Sequence, residues 1–519
     1  MGVGLVQTVK NSCFCLLAVA VSFLARQDKA LLAIVGVALL FRLGLGSQMT
    51  VLHADEVWQY LEPAYGLVTG SWVRAWEFHA GLRGWFMPVL LVPPLALGHA
   101  IAPDTQLHIY LMRTMLAVIS LGIPIAWYDL ARPLGRGHAL IAAWVAATWC
   151  EVFYFAVRPS AEGIGMALLF PAMALAQRLR FRPHRASALV LGLLLALGFV
   201  VRFHYLPAIV LVALWSLGRD WRCVLPNLLL GFAAGITVGG LCDLITGHPP
   251  LLWIWHSIAF NVVAGGAAMF GTQPPWWFAQ YQIETWSWAA LVIVPLIAIG
   301  AWRQPKPEAM LLAISAAIYA PHSLIAHKEY RFVILGATTL VLLAAIGSVE
   351  LCAVLRRRFA GAMPDERTTL IALGLGWLGL SLAVGLAPVF IMYWGQGDKA
   401  FGTLVVAGEQ PGVCGLGMYN QPNHPALANS LFNRRVPALL FDGPEASAQA
   451  HAMVSRYNVM VAARLDGPTL PAPFHLVECW HQGALPIDEQ RQCVFVRTGG
   501  CQGDAGDFTY QPAMERRGK

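Results

Sequence analysis

Charged residues are scarce in this chain of 519 residues. They make up 12% of the sequence, whereas 57% of the residues are hydrophobic. Ordinary soluble domains carry about 25% charged residues. So little charge argues against a soluble enzyme, and so much apolar sequence excludes an intrinsically disordered chain. The composition therefore predicts a protein whose side chains mostly face lipid or other apolar helices.

Several patterns that identify other classes of protein are also missing. No segment repeats with a fixed period, no convincing glycine-rich phosphate loop occurs, and Asp, Glu and His show no compelling metal-ligand spacing. The net charge of +7 would suggest nucleic acid in a soluble protein. Here, however, the basic residues cluster between apolar runs, as in membrane proteins. We therefore expect no metal, no cofactor and no nucleic-acid partner.

Apolar windows of about the length that a spanning helix needs recur through the first 391 residues. Eleven are present, at about 31–48, 109–130, 139–157, 163–179, 187–201, 205–218, 225–245, 287–302, 309–325, 332–350 and 369–391. They predict an all-α polytopic membrane protein with about 11 transmembrane helices. Residues 12–25 are apolar but short, which leaves an interfacial helix open. Prolines interrupt residues 86–102, which favours a re-entrant or surface-lying helix.

The short loops carry an asymmetric distribution of Lys and Arg. If the odd-numbered windows run outward, the inner segments hold seventeen of these residues and the outer loops before the tail hold seven. Because basic residues favour the inner side, this orientation is self-consistent. It places the first large loop, about 49–108, and the tail on the outer side.

The tail is more polar than the rest of the chain and is rich in Gly and Pro. We divide the sequence into a transmembrane domain at 1–391 and an outer-side domain at 392–519. A strand at 436–441 and a helix at 446–456 suggest a small α/β fold. Four cysteines lie in the tail, which suggests disulfides in an oxidising compartment, with the pairing left open: Cys414, Cys479, Cys493 and Cys501.

Polar side chains collect in the predicted outer loops, where they are costly and tend to mark function. The loops carry His53, Asp55, Glu56, Gln59, Glu62, Glu77 and Arg83, then Arg158 and Glu162, then Asp243 and Asn261, and finally His327, Lys328, Glu329 and Arg331. A carboxylate such as Asp55 can act as a general base, and an arginine such as Arg331 can neutralise a phosphate. Group transfer fits this set, although an ion or proton pathway would also collect such residues.

Four blocks in these loops resemble motifs of glycosyltransferase family 22, the GT-C enzymes that transfer mannose from lipid phosphates. The blocks are His53-x-Asp55-Glu56-x-x-Gln59-x-x-Glu62-Pro63, Gly81-Leu-Arg83-Gly-Trp85-x-x-Pro88, Asn261-Val-x-x-Gly265 with Phe270-Gly271-Thr-x-Pro274, and His327-Lys328-Glu329-x-Arg331-Phe332. They occur in the family's order. The resemblance implies a GT-C fold and an inverting transfer, most simply of mannose, from a polyprenyl phosphate donor to a glycan or lipid-linked acceptor.

The resemblance also implies roles for individual residues. Asp55 is expected to be the general base, with Glu56 as its support or as the alternative base. Donor phosphate and sugar binding is assigned to His327, Lys328, Arg331 and Arg83. Acceptor or supporting roles are assigned to His53, Gln59, Glu77, Arg158, Asp243 and Asn261. The expected location is a bacterial cytoplasmic membrane with a periplasmic site, or the ER membrane if the source is eukaryotic.

Structural readings of the same residues stand beside the functional ones. Asp55 and Glu56 could cap a helix, residues 327–331 could be a solvated interfacial cluster, and Arg83 could only pair with Glu77. Asp243 could cap or pair at a helix end. The motifs also depart from the family at Tyr330, Phe270 and residues 158–162. A different lipid-phosphate sugar, a polytopic lipid or solute transporter, and an inactive relative therefore remain alternatives.

Overall fold

Helices form most of the chain. The protein is described here by a computed structural model that covers residues 28–48, 50, 53–303, 307–359, 364–395, 398–419, 427–441, 443–463, 473–480 and 492–502. The longer helices are Lys29–Gly46, Phe86–Ile101, Leu107–Ile119, Gly122–Ala131, Arg136–Thr148, Ala161–Phe181, Arg185–Val201, Leu206–Ser216, Trp221–Ile245, Trp277–Trp286, Ala290–Arg303, Pro307–Leu324, Ile334–Arg358, Glu366–Gly385 and Asp398–Glu409. The shorter α-helices are Glu62–Thr69, Trp76–His79, Cys150–Ala156, Leu252–Ile258, Pro388–Trp394, Asn429–Phe432 and Ala446–Ala452.

Short 3-10 or π-helical turns connect several of these helices. They lie at Glu56–Leu61, Arg132–Leu134, Phe203–Tyr205, Ala259–Val263, Gly266–Phe270, Ser287–Ala289, Tyr330–Val333 and Val454–Arg456. Five of them carry residues of the predicted outer side that are discussed below. Such turns are frequent where a functional side chain must leave the regular path of a helix.

Each of the eleven predicted windows contains a helix. Seven helical segments in the described ranges are long and apolar enough to cross a membrane. The number becomes eight if Arg136–Thr148 and Cys150–Ala156, which meet at a bend of 57°, form one broken span. The three remaining windows hold shorter apolar helices. The chain is an integral membrane protein, and the predicted helical class is confirmed. Residues 12–25 lie outside the described residues.

The helix Ile334–Arg358 is the most enclosed element of the membrane part. Nearly every side chain between Ile334 and Ser348 is buried. Its neighbours approach closely because glycine is present at the contact: a Cβ on Gly347 would lie 2.0 Å from the carbonyl oxygen of Leu296. This helix begins directly after the 3-10 turn Tyr330–Val333. The fifth predicted outer loop, about residues 326–331 between the windows 309–325 and 332–350, therefore lies at the end of a close-packed helix.

A mixed five-stranded sheet lies in the tail. Its strands are β1 (Leu416–Tyr419), β2 (Ala438–Phe441), β3 (Val459–Ala463), β4 (His475–Trp480) and β5 (Gln492–Val496), in the order β2-β1-β3-β5-β4. β1 is parallel to β2 and β3, whereas β5 is antiparallel to β3 and β4. The predicted strand at 436–441 and the predicted α/β character are confirmed. The domain division at residue 391 stays a prediction.

Two disulfides join the four cysteines of the tail. Cys414 is bonded to Cys501, and Cys479 is bonded to Cys493. The second bond links the adjacent strands β4 and β5, where the two residues face each other. The sequence predicted that these cysteines form disulfides, and the fold supplies the pairing that spacing left open.

The tail packs on the first outer loop through buried hydrogen bonds. The Glu62 carboxylate accepts the main-chain N–H of Ser430 at 2.6 Å and that of Val73 at 2.8 Å. His108 contacts the Ser430 carbonyl oxygen at 2.8 Å, and the Tyr65 hydroxyl donates to Asn433 at 2.7 Å. Because Glu62 directly follows the turn Glu56–Leu61, this contact fixes the segment that carries Asp55.

Candidate active site

The first and fifth outer loops meet at an ion pair. The Asp55 carboxylate lies 2.6 Å from Nη2 of Arg331, although the two residues are 276 positions apart. Arg331 is 8% exposed at its side chain and Asp55 is 20% exposed. A charge-assisted hydrogen bond of this kind is short and directional. It joins the candidate base and one of the candidate phosphate-binding residues.

Three further side chains complete a chain of alternating charges. The Glu329 carboxylate accepts a hydrogen bond from Nε of Arg331 at 2.5 Å and lies 2.8 Å from Nε2 of His327. His53 stands between the two carboxylates, with Nδ1 3.3 Å from Asp55 and Nε2 3.7 Å from Glu329. We call Asp55, His53, Glu329, Arg331 and His327 the acidic cluster. Its two acids, Asp55 and Glu329, lie at the centre of the contacts, and its three basic side chains surround them.

The acidic cluster keeps both carboxylates ionised. Burial alone would raise the pKa of Asp55, but the charge of Arg331 and the hydrogen bond with His53 hold that pKa well below its usual range. Burial would also raise the pKa of Glu329, but the charge of Arg331 and the hydrogen bond with His327 lower that pKa to about 2. Asp55 is therefore present as the proton-accepting form near neutral pH.

The Asp55 side chain contacts this cluster and does not cap the helical turn that follows it. Asp55 stands at the N-cap of the π-helical turn Glu56–Leu61, but its side chain makes no capping hydrogen bond. In the same turn, Gln59 donates to Glu77 at 2.9 Å. Glu77 in turn lies 3.9 Å from Nη2 of Arg83, the pairing that the sequence left open. Burial raises the pKa of Glu77.

Glu56 is placed differently from Asp55. Its side chain is 1% exposed and lies 3.9 Å from Arg158, which is equally buried. Arg158 also donates to the carbonyl oxygen of Thr50 and, at 2.7 Å, to its hydroxyl. An acid enclosed in this way is less accessible to an acceptor sugar than Asp55. The geometry therefore favours Asp55 over Glu56 as the base.

Two predicted site residues make hydrogen bonds that support the backbone. Lys328 donates Nζ to the carbonyl oxygens of Gln273, at 3.0 Å, and Ile325. Asp243 accepts the main-chain N–H of Trp85 at 2.9 Å and that of Leu251 at 2.8 Å. The Asp243 bonds tie the second motif block, which contains Trp85, to the end of the helix Trp221–Ile245. The Lys328 bonds hold the fifth loop against the fourth predicted outer loop, about residues 246–286.

Asn261 contributes to the fourth loop in a more local way. Its side-chain amide donates to the Ser257 carbonyl oxygen, one turn earlier, at 3.0 Å. The same loop reaches the acidic cluster through Phe270, whose ring centre lies 5.8 Å from that of His327. The motif block as a whole therefore borders the site, whereas the Asn261 amide is directed to its own helix.

Tyr60 and Glu329 belong to the site, but the sequence motifs gave neither of them a role. Burial and the charge of Glu162 raise the pKa of Tyr60 to about 12, and the charges of Asp55, Arg83 and Arg331 also act on it. Tyr60 is therefore influenced by the same charges that act on Asp55. Glu329 could have been found, because it stands inside the last motif block.

Glu151 is a further residue that the sequence did not reveal. It lies at the bend after Arg136–Thr148, has no exposed surface, and accepts hydrogen bonds from Trp149 at 2.7 Å and from Trp286 at 3.2 Å. It also accepts the hydroxyl of Tyr330, which stands between Glu329 and Arg331. A single acid in an apolar run gives no motif, so sequence patterns could not have identified it.

The fold matches that of a known membrane protein. ArnT from Cupriavidus metallidurans, crystallised with undecaprenyl phosphate, aligns with a TM-score of 0.59 and 13% sequence identity over 91% of this chain and 99% of ArnT. The apo form of ArnT aligns with a TM-score of 0.53 and 14% identity. The predicted GT-C fold is confirmed.

The chain belongs to the Alg9-like mannosyltransferase family, whose profile matches residues 33–393. This match confirms the resemblance to glycosyltransferase family 22 and includes the whole acidic cluster. Among similar proteins, GPI mannosyltransferase 3 of Debaryomyces hansenii is 22% identical over 55% of this chain and 53% of its own length. Alpha-1,2-mannosyltransferase alg9 of Schizosaccharomyces pombe is 25% identical over 59% of this chain and 56% of its own length. The chain spans about half the length of the curated relatives it matches.

Proposed function

We propose that this protein is an inverting glycosyltransferase that moves mannose from a polyprenyl phosphate to a glycan or lipid-linked acceptor at the outer membrane face. The observation that carries the proposal is the ionised, partly exposed Asp55, held by Arg331 and His53 where the first and fifth outer loops meet. Family membership supports the reaction class. The names of the relatives support mannose as the sugar and an α-1,2 linkage as the product.

The transfer proceeds as one displacement. An acceptor hydroxyl oxygen attacks the anomeric carbon of a β-linked donor, and the bond from that carbon to the phosphate oxygen breaks. The hydroxyl proton passes to Asp55, and the electron pair of the broken bond leaves on the lipid phosphate. The attacking oxygen becomes strongly acidic as its new bond forms, so a carboxylate with a low pKa is an adequate base. The product is α-linked because the attack comes from the opposite face.

The lipid phosphate needs charge neutralisation more than protonation, since it leaves as a stable anion. The assignment of this role to His327, Lys328, Arg331 and Arg83 stays a prediction. Arg331 already binds two carboxylates, and Lys328 already donates to two carbonyl oxygens. ArnT, which shares the fold, was crystallised with undecaprenyl phosphate, and this supports a polyprenyl phosphate as the donor class.

A transfer assay with the purified chain in liposomes tests the proposal. The donor is radiolabelled polyprenyl phosphate mannose, and the acceptors are the lipid-linked and envelope glycans of the source organism. We expect label to enter a glycan in the wild type and Asp55→Asn to lower the rate by about 100-fold or more. Asp104→Asn is the matched control, because it also removes an outer-side ion pair, that with Arg434, and should leave transfer unchanged.

Other results of this assay separate the alternatives. Transfer from another lipid-phosphate sugar, with none from mannose, would keep the reaction class and replace the sugar. Movement of a lipid or solute across the liposome membrane without a covalent product would favour a transporter. Full activity in Asp55→Asn, with loss in Glu56→Gln, would transfer the role of base to Glu56. We also propose a bacterial cytoplasmic membrane as the location, with the ER membrane as the eukaryotic equivalent.

A further inference from the structure

A second group of basic side chains lies beside the acidic cluster, around the ring of Phe332. The guanidinium carbon of Arg331 lies 5.4 Å from the centre of the Phe332 ring, and that of Arg202 lies 4.8 Å from the same centre. The ring centre of His322 is 6.2 Å from that of Phe332 and 5.9 Å from that of His204. We call Arg202, His204 and His322 the Arg202 cluster.

The Arg202 cluster has buried polar atoms without a partner among the described residues. His322 is 3% exposed; its Nδ1 contacts the Ile318 carbonyl oxygen at 2.7 Å, whereas its Nε2 has no hydrogen-bond partner. Arg202 binds Glu162 through Nη1 at 2.6 Å, but its buried Nε has no partner. Buried polar atoms are normally paired, and leaving them unpaired is costly. A bound anion would satisfy Nε of Arg202 directly. It would satisfy Nε2 of His322 when its charge holds that ring protonated, because Nδ1 already donates to Ile318.

The position of the acidic cluster also argues for a separate phosphate site. In an inverting displacement the base and the leaving group lie on opposite faces of the sugar. Arg331 contacts the proposed base at 2.6 Å and therefore lies on the base side. A phosphate on Arg331 would also have to compete with Asp55 and Glu329. The leaving phosphate needs cations that are further from Asp55 and less saturated with carboxylates.

We propose that Arg202, His204 and His322 bind the phosphate group of the polyprenyl phosphate donor. The inference rests on the proposed function and names the residues that hold the leaving group. Arg202 contributes the permanent positive charge, and neutral His204 donates its one ring N–H. His322 donates from Nε2 once the negative charge of the phosphate holds its ring protonated, since Nδ1 already donates to Ile318. The sugar then lies between the Arg202 cluster and Asp55.

The depth of the cluster suits a lipid headgroup. Arg202 and His204 lie at the turn Phe203–Tyr205, between the apolar helices Arg185–Val201 and Leu206–Ser216, and His322 lies near the end of Pro307–Leu324. Leu206 and Leu324 beside them are 45% and 84% exposed. A phosphate held at these helix ends leaves its polyprenyl chain against apolar helix surface, where lipid tails are favoured.

Binding of undecaprenyl phosphate to the purified full-length chain in detergent tests the inference. Uncharged undecaprenol is the matched ligand, since it shares the chain and lacks the phosphate. We expect the wild type to prefer the phosphate, and Arg202→Gln and His322→Gln each to raise its Kd by about 10- to 100-fold without changing that of undecaprenol. Arg180→Gln is the control. It removes an arginine at the C-terminal end of the helix Ala161–Phe181, whose N-terminal end carries Glu162, the partner of Arg202.

Arg331→Gln separates the two possible phosphate sites. We expect it to keep the Kd for undecaprenyl phosphate within about threefold of the wild type, although it slows transfer. An unchanged Kd in both Arg202→Gln and His322→Gln, or a large loss only in Arg331→Gln, would overturn the inference. Should Arg202→Gln fail to fold, Arg202→Lys, His204→Gln and His322→Gln give the same comparison.

The experiment distinguishes failure of this inference from failure of the proposed function. If the wild type binds undecaprenyl phosphate no better than undecaprenol, the donor class itself is wrong. If the wild type prefers the phosphate and the variants of the Arg202 cluster keep that preference, the donor class stands and only the location of the phosphate is wrong.

Discussion

At the scale of single residues, the pair of Asp55 and Arg331 combines two opposing influences. Burial is the larger single influence on the Asp55 carboxyl and raises its pKa, whereas Arg331 and His53 together lower it. The ionised state of the proposed base is thus maintained by its neighbours and not by solvent. A change in either neighbour should be visible in the pH dependence of the reaction.

Replacing Arg331 with Gln should move the acidic limb of the rate profile to higher pH. In the wild type the pKa of Asp55 lies well below its usual range, so transfer should persist as the pH falls below neutral. Without Arg331, burial dominates and the Asp55 carboxyl binds a proton nearer to neutral pH. We expect a shift of about one unit or more in the residual kcat/KM, each unit corresponding to about 1.4 kcal/mol. An unchanged limb would show that Asp55 does not govern the rate.

The sequence identified some of these residues and missed others for a physical reason. Asp55, His327 and Arg331 stand in motif blocks that the family resemblance reveals, and the structure brings them together. Arg202 and Glu151 each interrupt an apolar run alone. Their significance depends on which helix ends meet in space, and a single sequence does not contain that information.

At the scale of elements, the turn Tyr330–Val333 is held in place by a buried hydrogen-bond network. The Tyr330 hydroxyl donates to Glu151 and accepts from Gln282 at 2.6 Å, and Gln282 in turn accepts from Tyr319 at 2.6 Å. These residues come from four separate elements. Because the chain continues directly from Tyr330 to Arg331, the network determines where the guanidinium meets Asp55.

Tyr330→Phe should therefore lower both stability and kcat. Loss of the hydroxyl leaves one Glu151 oxygen and the Gln282 amide without a partner, at a cost of about 1–3 kcal/mol. Tyr319→Phe is the matched control, since it removes a hydroxyl from the same network one step further from Arg331. We expect a similar loss of thermal stability in both variants and a loss of kcat in Tyr330→Phe alone. Equal kcat in the two variants would show that the network has no positioning role.

The helical windows were easier to predict than the elements of the tail. Hydrophobicity dominates the membrane part, and each predicted window therefore contains a helix. In the tail, both neighbours of β1 come later in the sequence, since it pairs in parallel with β2 and β3 across intervening segments. The order of the strands and the pairing of Cys414 with Cys501 depend on contacts over long separations, which local patterns do not determine.

At the scale of the whole molecule, the outer side brings together three distant parts of the chain. The first loop supplies Asp55, the fifth loop supplies Arg331, and the tail holds Glu62 through the Ser430 amide. The orientation predicted from Lys and Arg places all three on one side of the membrane. The cysteines provide an independent way to test that orientation, because some lie in the tail and others lie at the predicted inner ends of helices.

Cysteine labelling in right-side-out vesicles should separate the tail from the inner ends of the helices. Cys223 and Cys352 are free and only partly buried, and each lies beside an arginine that the topology places inside, Arg222 and Arg356 respectively. A thiol-specific, membrane-impermeant maleimide needs an accessible thiolate. We expect these two residues to react only after permeabilisation, with the modified peptides identified by mass spectrometry.

The four tail cysteines should behave in the opposite way, since both disulfides block the reagent until they are reduced. An impermeant phosphine added outside should make the partly buried Cys414, Cys479 and Cys501 reactive in sealed vesicles, whereas Cys493 has no exposed surface and should react more slowly. Buried Cys150 serves as the control and should stay unlabelled in either condition. Labelling of Cys352 in sealed vesicles would place the arginines of residues 356–358 outside and invert the topology. Because Asp55 and Arg331 share the side of the tail, the same result would also place the proposed active site on the inner face.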